Sequence, residues 1–211
     1  MKGTAMRRAF AALALILLFA APLALPAAAQ ELSNEEIAAI KNAVFNDPEA
    51  PVMGNPQGDV VLVEFTDYNC GFCRKTMPEV RALLQSDPGI RMVMHEIPVF
   101  GEGSRYAAMA ALAAREQGKY EVFHRALMSM RGKAEKASVL RVARKVGLDV
   151  PRLERDMQSP RITRQIEDSL ALADDIGLVG TPSFIAGNRA QFGYMSREQL
   201  AELVAEARAT R

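Results

Sequence analysis

The stretch that most constrains the fold is an apolar run that leads directly into a pair of cysteines. Val60–Phe65 is rich in β-branched residues, and Cys70-Gly71-Phe72-Cys73 follows it ahead of a helical pattern that extends to about Gln85. This order predicts a buried strand that ends at a helix N-terminus. The helix dipole and unpaired N–H groups stabilise an anion there, so Cys70 is expected to lose its proton easily. With Cys73 one turn later, the pair is interpreted as a redox-active dithiol.

Other interpretations of the cysteine pair fit less well. A zinc site needs about four ligands, whereas the chain has two Cys and two separated His. A structural disulfide across so short a ring would remove little chain entropy. Inert core cysteines would not be expected on both sides of a glycine at the point where a strand ends.

The N-terminal residues have the pattern of an export signal. Three basic residues within 2–8 precede an apolar run at 10–25, and small residues at 27–29 offer a cleavage site. The run is 16 residues long and contains Pro22, which is short for a membrane span. We therefore expect residues 1–29 to be a signal peptide and the mature protein to reach the periplasm, with an uncleaved membrane anchor as the alternative.

Composition suits one globular domain, and an exported protein would enter an oxidising compartment. The chain has 211 residues, of which 49% are hydrophobic and 24% charged. Without the leader, 23 basic and 25 acidic residues remain, a formal charge of −2 that gives no indication of nucleic acid or a charged membrane surface as a partner. Both cysteines belong to one motif, so none is left for the structural disulfides that are common outside the cytosol.

A short helix is predicted ahead of the main domain, within residues 30–48. The sequence Ser33-Asn34-Glu35-Glu36 is a capping box, and Asp47-Pro48 ends the helical pattern. Its apolar positions are Ile37, Ile40 and Val44. This stripe either packs on its own domain or makes residues 32–47 a candidate homo-oligomerisation segment.

The rest of the chain predicts two further strands, a long helical stretch and a hairpin. A short edge strand is expected near Val52, and a second main strand at 90–99. Residues from Ser104 to Ile176 read as helical throughout. The predicted elements that follow are strands at 179–186 and 191–195 and a closing helix from Ser196 to about Ala209.

Three polar residues fall within predicted buried elements. Glu64 lies in the central strand, six residues before Cys70. A buried carboxyl group there would have a raised pKa and could exchange protons with the dithiol; a glutamate on a solvated strand face is the alternative. His95, beside the second main strand, and His124, in the helical stretch, are interpreted as structural.

Several motifs resemble the thioredoxin superfamily. They are the strand that leads into the Cys-Gly-Phe-Cys sequence, Pro78 in the following helix, and Gly180-Thr181-Pro182 ahead of a strand. The long helical stretch is similar to the insertion of the DsbA-like branch. Within that branch, residues 65–73, 117–120 and 180–184 look most like the exported ScsC-like thiol–disulfide oxidoreductases, which carry an extra N-terminal segment.

This resemblance covers residues 50–208 and implies the fold. It is an α/β thioredoxin fold with a helical insertion, as in DsbA-like proteins, preceded here by a short N-terminal helix. The thioredoxin-like domain would span residues 49–211, with the insertion at about 104–177.

The resemblance also implies roles for individual residues. Cys70 would be the nucleophile that forms a mixed disulfide with the substrate, and Cys73 the thiol that resolves it. Pro182 would be a cis proline beside Cys70, and Thr181 would present backbone groups to an extended substrate segment. Glu64 matches the buried acid of the family's central strand and would transfer protons.

The implied activity is that of a protein thiol–disulfide oxidoreductase, an oxidase or an isomerase, without a metal or an organic cofactor. Its partners would be cysteine-containing exported proteins and a membrane redox partner. Gly71-Phe72 stands where strongly oxidising relatives have Pro-His, so a milder oxidant is expected. The main alternative is a soft-metal carrier that holds Cu(I) with the same cysteines, and a glutathione-dependent transferase on this fold is another.

Overall fold

The strand that precedes the cysteines lies in the middle of a mixed sheet. The computed structural model of the protein describes residues 32–210, and the predicted leader, residues 1–29, lies outside them. The strands are β1 (Val52–Gly54), β2 (Val60–Thr66), β3 (Ile90–Glu96), β4 (Ser183–Ala186) and β5 (Arg189–Phe192). Their order is β1-β3-β2-β4-β5; β2 and β3 are parallel, and the other neighbours are antiparallel.

Helices connect these strands and cover the sheet. They are α1 (Asn34–Asn46), α2 (Gly71–Ser86), α3 (Glu102–Ala114), α4 (Tyr120–Met128), α5 (Lys136–Lys145), α6 (Val150–Asp156), α7 (Pro160–Asp175) and α8 (Arg197–Ala209). Helix α2 forms the crossover between the parallel strands, and α3 to α7 form the insertion between β3 and β4. The predicted fold, including the insertion and the preceding short helix, is confirmed. Within residues 32–210, none of the helices has the length and apolar character needed to span a bilayer.

Three predicted strand boundaries were wrong. Strand β3 ends at Glu96 rather than at residue 99, and Pro98 follows it closely. Strand β4 begins at Ser183 rather than at residue 179, because Pro182 has no N–H group to donate to a ladder. Strand β5 is Arg189–Phe192 rather than 191–195, so the hairpin turn is tighter than the sequence suggested.

Alternation along β2 and β3 divides their side chains between two cores. The first core includes Leu62, Met92, Met94 and Cys73, and the second includes Val44, Val63, Phe65 and Val93. Since side chains alternate between the faces of a strand, Glu64 and Glu96 share the face of the first core. The ring of His95 lies in the second, stacked on Phe65 with 4.6 Å between ring centroids.

Helix α1 is docked on the sheet by its C-terminal end. The carbonyl oxygen of Val44 accepts a hydrogen bond from Nε2 of His95 at 3.0 Å. The neighbouring carbonyl oxygen of Phe45 accepts one from Nη1 of Arg91 at 2.9 Å. The last carbonyl groups of a helix have no hydrogen-bond donor within the helix. These two side chains of β3 supply the donors. His95 is structural, as predicted.

The apolar stripe of α1 is largely used within its own domain. The capping box between Ser33 and Glu36 is present as predicted. Val44 is buried in the second core and Ile40 packs against it, whereas the side chain of Ile37 is 40% exposed. Of the three residues predicted to contact a second copy, only Ile37 keeps a substantial exposed surface in this chain.

Candidate active site

The two cysteines lie at the junction between the central strand and the crossover helix. Cys70 is the N-cap residue of α2, and its Sγ accepts a hydrogen bond from the backbone N–H of Cys73 at 3.4 Å. The Cys70 thiol can also donate to the carbonyl oxygen of Thr181, 3.2 Å away. Both sulfurs are free thiols, and Phe72 between them is 59% exposed. The geometry gives Cys70 the surroundings of a stabilised anion.

The surroundings separate the two thiols in acidity. A hydrogen bond from the Cys73 thiol lowers the pKa of Cys70 to about 6, against burial, and the Thr181 side chain and the N–H groups of Cys73 and Phe72 lower it further. Burial raises the pKa of Cys73 well above its usual range, and the hydrogen bond to Cys70 and the charge of Glu64 raise it further. At neutral pH the pair therefore holds one thiolate and one thiol.

Thr181 and Pro182 lie beside Cys70, where the resemblance placed them. The peptide bond between them is cis. Pro182 is buried and its carbonyl oxygen accepts a hydrogen bond from the N–H of Gly193 at 2.8 Å. The Thr181 hydroxyl is buried and has no hydrogen-bond partner within residues 32–210, so its proton can turn toward the Cys70 sulfur.

Glu64 is a buried acid, not a glutamate on a solvated strand face. Glu64 is 3% exposed, and its side chain lies on the face of the first core. Burial raises its pKa to about 8; the neighbouring Thr66 hydroxyl group opposes this rise, and the negative charges of Glu96 and Cys70 add to it. A carboxyl group with this pKa can both give and take a proton near neutral pH.

Asp67 ties the active-site loop to the start of the insertion, a role that the sequence analysis missed. Its Oδ2 accepts hydrogen bonds from the N–H groups of Val99 and Phe100, at 2.8 and 3.1 Å. Its Oδ1 accepts one from the hydroxyl of Ser104 at 2.7 Å. An acid that directly follows an apolar strand was the available signal, since such an acid is buried only when donors surround it.

Asn69 and Arg74 hold a second part of the insertion against the dithiol. The side chain of Asn69 accepts from the N–H of Ala134 at 2.7 Å and donates to its carbonyl oxygen at 3.1 Å. Arg74 donates from Nη1 to the carbonyl oxygen of Gly132 at 2.6 Å. The loop between α4 and α5 therefore forms part of the rim of the site.

No set of three or more His, Cys, Asp or Glu side chains within residues 32–210 is placed to hold a metal ion. A soft ion at this site would have the sulfurs of Cys70 and Cys73 as its ligands.

Comparison with known proteins identifies the family. Residues 61–205 match the DsbA-like thioredoxin domain. The chain belongs to the DsbA-like thioredoxin family. The matched segment begins in β2 and ends in α8, so it contains both cysteines, the helical insertion and the Thr181-Pro182 pair.

Solved structures share the fold over most of this chain. A thioredoxin-like oxidoreductase from Silicibacter pomeroyi DSS-3 is 53% identical, with a TM-score of 0.78, over 80% of this chain and 98% of that one. A periplasmic thioredoxin-like protein from Salmonella enterica serovar Typhimurium is 28% identical, with a TM-score of 0.74, over 85% and 99%. Proteus mirabilis ScsC in a transitional conformation is 25% identical, with a TM-score of 0.76, over 83% and 80%.

Curated relatives match through one part of their length. The Na(+)/H(+) antiporter NhaA 3 of Salinispora tropica is 30% identical over 164 residues, which are 76% of this chain and 25% of that protein. The chain therefore spans about a quarter of the length of the curated relatives it matches.

Proposed function

We propose that this protein is an exported thiol–disulfide oxidoreductase that exchanges disulfides with cysteine-containing proteins of the periplasm. The observation that carries the proposal is the position of the Cys70 sulfur. It lies at a helix N-terminus, within hydrogen-bonding distance of the Cys73 N–H and the Thr181 carbonyl group. Membership in the DsbA-like family and 53% identity to a thioredoxin-like oxidoreductase support it.

The exchange proceeds by two thiolate attacks. When the pair is oxidised, a substrate thiolate attacks Cys70 Sγ, the bond between the two cysteines breaks, and Cys73 leaves and takes up a proton. A second substrate thiolate then attacks the substrate sulfur of this mixed disulfide, and Cys70 leaves as a thiolate. Two electrons have then passed from the substrate to the dithiol. The reverse sequence reduces a substrate disulfide.

Glu64 supplies or accepts the proton of Cys73 in this scheme. Cys73 is buried, and its pKa is raised well above the usual range, so it needs a base before it can attack. Glu64 is the buried acid whose charge acts on it. Its pKa of about 8 leaves a usable fraction of the base near neutral pH.

Thr181 and Pro182 form the edge on which the substrate docks. Thr181 is half-buried beside Cys70 and precedes β4, so its backbone can pair with an extended segment around the substrate cysteine. Phe72, with 59% of its surface exposed next to the reactive sulfur, adds an apolar contact.

Export, the redox partner and self-association belong to the same proposal. The leader pattern of residues 1–29 and the likeness to a periplasmic protein of Salmonella support a periplasmic location. A membrane redox partner would restore the dithiol after each turnover, and Gly71-Phe72 favours a mild oxidant. A homo-oligomer through residues 32–47 would use the exposed part of α1, chiefly Ile37.

The test is disulfide exchange with a protein substrate. Wild-type protein should reshuffle scrambled ribonuclease in a glutathione buffer, Cys70→Ser should be inactive, and Cys73→Ser should accumulate as a mixed disulfide. Activity that survives Cys73→Ser would indicate a glutathione-dependent transferase instead. Inactive wild-type protein that retains one Cu(I) per chain under reducing conditions would indicate a metal carrier.

A further inference from the structure

A buried cluster of polar side chains lies between the active-site loop, the end of β3 and the start of α4. Its members, hereafter the polar cluster, are Tyr68, Glu96, Tyr120 and His124, none more than 6% exposed. The hydroxyl groups of Tyr68 and Tyr120 both donate to Oε1 of Glu96, at 2.6 and 2.7 Å. The Tyr68 oxygen also lies 2.8 Å from Nδ1 of His124. Nothing in the exchange steps above uses this cluster.

The hydrogen bonds fix where the protons of the polar cluster lie. Each tyrosine hydroxyl has one proton, and both protons point to the same carboxylate oxygen. In this arrangement the Tyr68 oxygen can accept a hydrogen bond from Nδ1–H of His124. The rings of Tyr120 and His124 stack with 5.5 Å between centroids.

Two atoms of the cluster are left without a protein partner. Oε2 of Glu96 and Nε2 of His124 are buried and make no hydrogen bond with any group of residues 32–210. Leaving such atoms unpaired costs free energy. Within residues 32–210, Glu96 therefore uses Oε1 alone for its hydrogen bonds, and both come from tyrosine hydroxyl groups.

One route from the polar cluster to the dithiol passes through the backbone. Tyr68 lies two residues before Cys70, and its carbonyl oxygen accepts a hydrogen bond from Nε of Arg74 at 2.6 Å. Arg74 belongs to the first turn of α2, directly after Cys73. Tyr68 is thus held at its hydroxyl by Glu96 and at its carbonyl by the helix that Cys70 caps.

A second route passes across the sheet. Thr66 of β2 is the register partner of Glu96 of β3, so Glu64, two residues before Thr66, lies diagonally from Glu96 on the same face. Glu64 is in turn the acid that acts on Cys73. In agreement with this placement, the negative charge of Glu96 raises the pKa of Glu64.

We propose that Glu96 is a positioning residue for the dithiol, which holds the Cys70 loop through Tyr68 and acts on the proton acceptor Glu64 across the sheet. The proposal rests on the proposed exchange function and deepens it. The insertion takes part, because the second donor to Glu96 is Tyr120 of α4.

The groups that face Glu64 determine the expected result. They are Cys73 and Cys70 at the start of α2, Thr66 on its own strand, Glu96 on β3 and Tyr120 on α4. Removal of the charge on Glu96 lowers the cost of ionising Glu64, so Glu64 should lose its proton at lower pH.

The experiment follows the resolution step across pH. Cys70 is converted to its mixed disulfide with glutathione; Cys73 then loses a proton, attacks Cys70 Sγ and releases glutathione thiolate. The wild-type release rate should rise as Glu64 ionises, with a midpoint at or below about pH 8, because the mixed disulfide removes the Cys70 charge that helps to raise the pKa of Glu64. In Glu96→Gln the midpoint should move to lower pH, equivalent to an ionisation constant for Glu64 that is roughly threefold to tenfold larger. Tyr120→Phe, which removes one donor to Glu96 and keeps the Glu96 charge, should not lower the midpoint.

Matched controls separate this role from a structural one. Glu121→Gln removes a carboxylate from the exposed face of α4, where it pairs with Arg125, and should leave the midpoint unchanged. Tyr106→Phe removes a tyrosine hydroxyl group of the insertion outside the polar cluster, with the same expectation. If Glu96→Gln does not fold, Glu96→Leu, which also removes the charge, decides in its place.

Two results overturn the proposal in distinguishable ways. Wild-type protein that never releases glutathione would overturn the exchange function and this role with it. A midpoint in Glu96→Gln that equals the wild-type midpoint would leave the exchange function standing and reduce Glu96 to a structural residue.

Discussion

The sulfur of Cys70 and the carbonyl oxygen of Thr181 lie 3.2 Å apart, although the two residues are 111 positions apart in the chain. This contact joins the N-terminus of α2 to the segment that precedes β4. Only a thiol can donate to that oxygen, whereas the thiolate depends on N–H groups and on the Cys73 thiol. The site therefore offers partners to both protonation states of Cys70.

Replacing Thr181 should destabilise the thiolate form of Cys70. The side chain of Thr181 lowers the pKa of Cys70, so Thr181→Val, which keeps the shape and removes the hydroxyl, should raise that pKa by roughly half a unit to one unit. The ultraviolet absorbance of the thiolate, titrated from pH 4 to 9, measures it. Thr163→Val, a threonine of α7, serves as the control. A variant midpoint that remains at about 6 would exclude the hydroxyl from the site.

The reduced protein should gain stability from Cys70 as pH rises. The folded pKa of about 6 lies below the value of about 9 for a free thiol, so the thiolate stabilises the fold above pH 6, and this contribution is lost as pH falls through 6. Relative to Cys70→Ser, the free energy of unfolding should grow by about 2–3 kcal/mol between pH 5 and pH 8. Urea titrations of both proteins under reducing conditions test this. A difference that stays constant with pH would contradict it.

Glu64 should reduce stability while it serves the exchange. Its folded pKa of about 8 lies above the ordinary 4.5, so the wild-type protein loses stability as pH rises from 4.5 toward 8. Relative to the wild type, Glu64→Gln should therefore gain about 3 kcal/mol of unfolding free energy between pH 4 and pH 7, and should release mixed disulfides more slowly. Chemical denaturation at the two pH values measures the first effect. Equal pH dependence in both proteins would show that Glu64 titrates normally.

Asn69 should stabilise the loop between α4 and α5 at the rim of the site. Asn69→Ala removes the paired hydrogen bonds to Ala134, and the expected loss of stability is about 1–3 kcal/mol, because the backbone groups of Ala134 are left without partners. Hydrogen exchange at the N–H of Ala134 should accelerate. Asn188→Ala, in the exposed β4–β5 turn, is the matched control. Unchanged protection at Ala134 would mean that the loop is held by other contacts.

Substitutions at two residues of α1 should affect different properties, one the stability and the other the oligomeric state. Val44→Ala should cost about 1–3 kcal/mol of stability, because Val44 is buried in the second core. Ile37→Glu, at a position that is 40% exposed, should leave stability nearly unchanged but make the mature protein monomeric if residues 32–47 mediate self-association. Light scattering and thermal unfolding measure the two effects. A wild-type protein that is already monomeric at micromolar concentration would end the oligomer proposal.

What the sequence predicts well is local. The strand, the cysteine at its end and the helix that follows are contiguous, so periodicity and capping chemistry were sufficient to place Cys70 and Cys73. The contact with Thr181 was anticipated only through a family resemblance, since no local pattern reports a partner more than one hundred residues away.

Glu96 shows why part of the site was missed. The reasoning applied to Glu64, a carboxylate within a predicted buried strand, applies equally to Glu96, which falls within the strand predicted at 90–99. The sequence analysis did not single out Glu96, because Glu64 was noticed through its position relative to Cys70 and Glu96 has no such neighbour in the sequence. Its partners Tyr68 and Tyr120 come from two different elements, and only the folded chain brings them together.

The alternation of β2 and β3 between two cores has a consequence for how this protein can vary. Deleting one residue within either strand would turn Glu64 or Glu96 toward α1 and bring apolar side chains against the dithiol. Such a deletion would disrupt the packing of both cores. The lengths of these two strands are therefore constrained both by the redox chemistry and by the docking of the N-terminal helix. Changes in chain length should be tolerated instead in the turns between the helices of the insertion, away from the rim loop that Asn69 and Arg74 hold.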